Sequence, residues 1–186
     1  MSAREVWKSR KNLLLLFSMF IIPVVLAKLA LDNDWFNKAS TNSGELLKQE
    51  LNIAQLGIND EALQKKWLIL YRLPTPCDEN CNQTIYGINQ TFISLGRQMD
   101  RVIPLGLYGA ELNTDDLGAL KEKFWKFNLI SAASKDQLES NSVYVSDALG
   151  NIILKYPAPT TDDEVLALGK AMLSDLRKLL KYSRIG

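Results

Sequence analysis

Apolar residues along this chain follow three different spacings, and each predicts a different element. From Leu13 to Leu31 the run LLLLFSMFIIPVVLAKLAL is apolar apart from Ser18 and Lys28, about long enough to cross a bilayer as one helix. Leu13, Phe17, Ile21, Val25 and Leu29 are its candidate anchor residues, and Lys28 can snorkel from near one end. From Trp67 to Tyr71 a shorter run, aromatic and branched, reads as a buried strand. Ile85, Ile88, Phe92, Ile93 and Leu95, with Met99 beyond, then recur at helical spacing. RVIPLGLY, residues 101–108, predicts a second strand, with Pro104 at a sheet position that tolerates a missing donor.

Further along, Asn113 or Thr114 can cap a helix whose buried side would be Leu117, Leu120, Phe124 and Phe127. Residues 142–147 and 151–156 flank Ala148-Leu149-Gly150 and predict an antiparallel hairpin. Thr161 to Glu164 forms a capping box for a last helix with Val165, Leu168, Met172, Leu176 and Leu179 on one side. Ahead of the first strand, Leu51, Ile53 and Leu56 alternate loosely and fit a short hairpin or a helix. Strand, helix, strand, helix in succession implies a parallel unit.

Charge gives the chain its orientation. Arg4, Lys8, Arg10 and Lys11 stand before the apolar run against Glu5 alone, so the positive-inside rule keeps residues 1–12 in the cytoplasm. The span 13–31 is then an anchor, or else a signal peptide cleaved near Val25-Leu26-Ala27. Residues 32–43, polar apart from Trp35 and Phe36, form a linker, and 44–186 a domain outside the cytoplasm. With an oxidising space required for lasting disulfides, the expected place is the periplasmic side of a bacterial inner membrane. A net charge of +1 gives no reason to expect nucleic acid. The absence of histidine excludes a His-ligated metal centre and a Ser-His-Asp triad. Arg177, Lys178, Lys181 and Arg184 crowd the end of the last helix, as a solvated basic end or as a contact to anionic lipid.

The chemistry gathers at Cys77 and Cys81, the only two cysteines. Pro74 and Pro76 take the backbone out of the sheet just before Cys77. Asp78, Glu79 and Asn80 look like a helix start. C-x-x-x-C spacing puts the two sulfurs one helical turn apart on one face. A helix N-terminus favours a thiolate, and two thiolates suit copper(I). Asp78 and Glu79 oppose thiolate formation through like charge. A structural disulfide is the plain alternative.

A strand ending in a dicysteine loop, then helix, strand, helix, hairpin and helix, is the order of an α/β, thioredoxin-like fold. From about Trp67 onward the chain resembles the Sco (SenC) family of membrane-anchored copper chaperones for cytochrome c oxidase, and over its full length the small gammaproteobacterial transmembrane proteins described as cytochrome oxidase-associated. The likeness rests on the N-terminal anchor, on Cys77-x-x-x-Cys81 after a strand, and on residues 143–151 (VYVSDALGN). Sco proteins complete their copper site with a histidine a few residues before the tyrosine of the hairpin strand, where this chain has Glu139. The family's proline after each cysteine is replaced by Asp78 and Asn82.

The resemblance implies a membrane-anchored protein of cytochrome c oxidase biogenesis. Its partners would be oxidase subunits or other assembly factors together with the lipid bilayer, and its Cys77 and Cys81 would exchange disulfides or hold copper(I). Cys77 would be the attacking thiolate and Cys81 the resolving one. The contrasting expectation is a non-catalytic scaffold or oxidase accessory protein with a structural Cys77–Cys81 bond. A thioredoxin-like peroxidase fits less well, because the peroxidatic motif is missing although Thr75 is present.

Overall fold

A computed structural model describes residues 3–33, 42–110 and 124–185, and the chain divides into two compact units at residues 41 and 42. The first unit is one helix, α1 (Ala3–Asp32), with Pro23 inside it. Its segment Arg10–Asp32 is long and apolar enough to cross a membrane. Leu13, Phe17, Ile21, Val25 and Leu29 are all exposed, as side chains meant for lipid would be.

The second unit is a six-stranded mixed sheet in the order β1-β6-β5-β2-β3-β4. Its strands are β1 (Glu45–Asn52), β2 (Trp67–Arg72), β3 (Val102–Tyr108), β4 (Lys126–Leu129), β5 (Ser142–Ser146) and β6 (Asn151–Pro157). Among the described residues its helices are α2 (Glu79–Ile93), the four-residue α3 (Ala132–Lys135) and α4 (Asp162–Tyr182). β2 pairs parallel with β3 and antiparallel with β5, so the expected parallel unit and hairpin meet along β2. Every residue of β2 is buried, which is why that stretch reads as a continuous apolar run.

Period-two alternation splits β2 between two cores. Ile69 and Tyr71 face α2 and α4 and pack with Cys81, Ile88 and Met172. Leu68 and Leu70 face the other way and pack with Leu56, Leu63, Leu105 and Tyr144. The two helices approach closely because α2 carries a glycine at the contact. A Cβ on Gly87 would lie 2.7 Å from Val165 Cγ1.

Several expectations are corrected. The segment from Leu51 to Leu56 is neither a hairpin nor an α-helix: β1 is an edge strand paired with β6, followed by a 3-10 turn over Ile53–Leu56. Its pairing partner lies a hundred residues away, so local alternation could not reveal it. Phe127 is not on a helix. It lies in β4, stacked with Trp125 at 6.0 Å between ring centroids, because Gly106 of β3 leaves room for its ring. The helix expected from Asn113 through Leu120 lies outside the described residues. The capping box is displaced by one position: Thr161 Oγ1 accepts from Glu164 N, but the Glu164 carboxylate accepts from Thr160 N and Oγ1.

The domain also holds its own entry point. Asp175, fully buried on α4, accepts hydrogen bonds through Oδ2 from Ser43 N (2.8 Å), Gly44 N (2.9 Å) and Tyr156 Oη (2.8 Å). Gly44 has to be small here, since a Cβ would lie 2.5 Å from the Tyr156 ring.

Candidate functional site

β2 delivers the chain to the site and stops there. Leu73 N still donates to Leu107 O at 2.9 Å, then Pro74 and Pro76 remove two donors and the backbone leaves the sheet. The Thr75–Pro76 peptide is cis. Asp78 caps α2, its Oδ1 accepting from Cys81 N at 3.0 Å, and this satisfies one of the unpaired donors of the first turn.

Cys77 and Cys81 are joined as a disulfide across a Cα–Cα distance of 5.2 Å. The spacing argument places both on one helical face, yet only Cys81 is helical. Pro76 and the capping Asp78 start α2 after Cys77, so Cys77 belongs to the loop. The two sulfurs therefore differ in access: Cys81 is fully buried, whereas Cys77 is half-buried. A reagent in solvent reaches the loop sulfur first.

Beneath the disulfide lies a polar contact absent from the sequence expectations. Tyr71, the next-to-last residue of β2, is fully buried and donates from Oη to Asn141 Oδ1 at 2.7 Å. Asn141 has φ +53° and is fixed by its own backbone, with its N donating to Arg72 O and its O accepting from Ala158 N. The loop before β5 is thus tied to the strand that carries the dithiol. Burial pushes the Tyr71 hydroxyl well above the usual tyrosine range; the Asp78 charge adds to this and the Thr84 hydroxyl opposes it. The phenol stays protonated and acts as a donor. The sequence signal was a tyrosine closing an apolar strand, which reads equally well as packing.

Glu139 is not part of this site. Its carboxylate pairs with Lys155 at 2.5 Å, and its backbone N donates to Tyr144 Oη at 2.9 Å. Tyr144 belongs to the core on the opposite face of the sheet from Cys81. Among the described residues no group of three or more His, Cys, Asp or Glu side chains converges.

Comparison with known proteins places this architecture. No curated protein matches the chain. Solved structures that resemble it include ScoI of Bradyrhizobium japonicum with copper bound, at 15% identity over 68% of this chain and 97% of that one, TM-score 0.41. ScoI of Arabidopsis thaliana with copper bound shares 16% identity over 62% of this chain and 87% of that one, TM-score 0.45. BsSco, described as a member of the Sco family of cytochrome c oxidase assembly proteins with a disulfide switch, shares 15% identity over 72% of this chain and 95% of that one, TM-score 0.41. The family model described as "transmembrane-like, thioredoxin-like, C-terminal domain" matches residues 67–183, from the first residue of β2 to the end of α4. That match takes in more than half of the chain, and the protein belongs to this transmembrane-like, thioredoxin-like family.

Proposed function

We propose that this protein is a membrane-anchored thiol-disulfide protein of cytochrome c oxidase biogenesis, with residues 13–31 in the bacterial inner membrane, 32–43 as linker and the domain 44–186 in the periplasm. The observation that carries the reading is the asymmetric pair, with Cys77 in the loop and half-buried and Cys81 in the first turn and fully buried. A two-step exchange uses such asymmetry, because the more accessible sulfur meets the client and the buried one closes the bond behind it. In the reduced protein the Cys77 thiolate attacks a client disulfide. A mixed disulfide forms at Cys77 and one client thiolate leaves. Cys81 then attacks the Cys77 sulfur, its proton passing to the second departing client thiolate. The client is reduced by two electrons and Cys77–Cys81 is oxidised, to be reset by a membrane dithiol reductant.

Clients of this chemistry would be the copper-ligand cysteines of an oxidase subunit or of another assembly factor. Copper(I) itself is the second candidate cargo. Two sulfurs without histidine offer a soft, low-coordinate donor set that suits copper(I). Glu139, held by Lys155 on the far face, supplies no third ligand. The test is oxidase activity in membranes of the native host lacking this gene, complemented with the wild-type chain or with Cys77→Ser. Recovery by the wild type alone supports the reading. Equal recovery by both would leave an assembly scaffold with a structural disulfide.

A further inference from the structure

The end of the domain opposite the dithiol carries a basic surface that the redox reading does not use. α4 runs from the dithiol end to this one, where its last turn meets the 3-10 turn Gly96–Arg101 and the start of β2. Two arginines there serve the fold. Arg101 donates to Leu180 O, Ser183 O and Ile185 O at 2.9–3.0 Å, and Arg177 donates to Ser94 O at 3.0 Å, closing the carboxyl ends of α4 and α2. Around them Arg97, Lys178, Lys181 and Arg184 are exposed. Tyr182 is 80% exposed and Ile185 47% exposed in their midst. Lys181 lies over the Tyr182 ring at 5.7 Å, and Lys178 pairs with Asp175 at 3.6 Å. Asp100 is the exposed acid of the neighbouring turn.

The point where the chain enters the domain is on the same helix. Asp175 holds Ser43 N and Gly44 N, and Tyr182 follows about 10 Å farther along the axis. Cations surrounding an exposed tyrosine and isoleucine match an anionic lipid surface in charge and in interfacial preference. We propose that the carboxyl end of α4, centred on Tyr182, rests on anionic phospholipid and thereby turns Cys77 away from the membrane. The inference rests on the reading of α1 as a membrane span.

The test uses the full chain in nanodiscs with Tyr182→benzoylphenylalanine as a photo-crosslinker. Lipid labelling is expected in discs containing phosphatidylglycerol and is expected to fall by roughly 25-fold or more in pure phosphatidylcholine, in high salt, or with Lys181→Glu plus Arg184→Glu, each cation near such a surface contributing about a factor of five. Asp163→benzoylphenylalanine, about 28 Å away at the start of α4, should not label lipid. Equal labelling from residue 182 in both lipids, or none in either, with the chain incorporated, overturns the surface contact and leaves the anchor intact. Failure of the chain to enter the discs removes the anchor reading and the contact with it.

Discussion

Among the described residues, one face of the sheet is covered by two long helices, α2 and α4, and the other by 3-10 turns, the four-residue α3 and loop residues such as Ile58, Ile130 and Leu138. The helical face mixes its aliphatic core with buried polar groups joined across elements: Tyr71 to Asn141, Tyr156 and the segment 43–44 to Asp175. On the opposite face the hydrophobic core is aliphatic apart from Tyr144, with Leu56, Leu68, Leu70 and Leu107 fully buried, and strand alternation puts the buried Arg72 on this face as well. The cysteine pair sits on the face where Asn141 and Asp175 tie distant segments of the chain together. A disulfide that opens and closes needs neighbours that hold their places while it does so.

The largest expected effect breaks that contrast on the helical side. Asp175→Ala leaves two buried donors, Gly44 N and Tyr156 Oη, and the more exposed Ser43 N without their acceptor and should cost roughly 3–5 kcal/mol, read from denaturant unfolding of the full chain in detergent by tryptophan fluorescence. On the aliphatic side, Leu70→Ala opens a cavity without disturbing any hydrogen bond and should cost about 3 kcal/mol. The two should also differ at Cys77: Leu70→Ala leaves its rate of alkylation after reduction unchanged.

A subtler difference concerns pH. Burial is the first cause that raises the hydroxyls of Tyr71 and Tyr156 above the ordinary tyrosine value. Both groups hold their proton more tightly in the folded chain than in the unfolded one. Their contribution is fully present below about pH 10, where an unfolded tyrosine ionises, and is lost as pH rises beyond it. Stability between pH 10 and 11 should fall by up to about 1.4 kcal/mol per unit for each tyrosine, less one such slope in Tyr71→Phe. At neutral pH Tyr71→Phe should cost only about 1 kcal/mol while accelerating exchange at the dithiol, because the loop at Asn141 loses its tie. Smallest of all is Glu139→Gln. Its pair with Lys155 is open to solvent, with 73% of the glutamate side chain exposed, and the variant should stay within about 0.5 kcal/mol of wild type with unchanged copper(I) affinity.

A different division, between the centre of the sheet and its edges, governs what could be read from the sequence. α1, α2, α4 and the β5–β6 hairpin announce themselves through local spacing, and the C-x-x-x-C pair marks the site by residue type alone. The two edges of the sheet do not, because β1 finds its partner a hundred residues away and β4 is four residues long beside Gly106. Phe127 illustrates the failure, since an aromatic at helical distance from Phe124 fits a helix until Gly106 is known to make room for it. Tyr71, Asn141 and Asp175 were illegible for a different reason: their roles lie in contacts between distant segments, and their residue types are ordinary where they stand.

The measurement that bears most directly on the central claim is a glutathione redox titration of Cys77 and Cys81 in the full chain, run beside copper(I) competition against a chromophoric chelator. The account predicts a pair that cycles at a potential accessible to periplasmic thiol partners, with a mixed disulfide trapped at Cys77 in Cys81→Ser. A bond that stays closed at strongly reducing poise, with no copper(I) bound, would contradict it and leave the disulfide as a structural clasp.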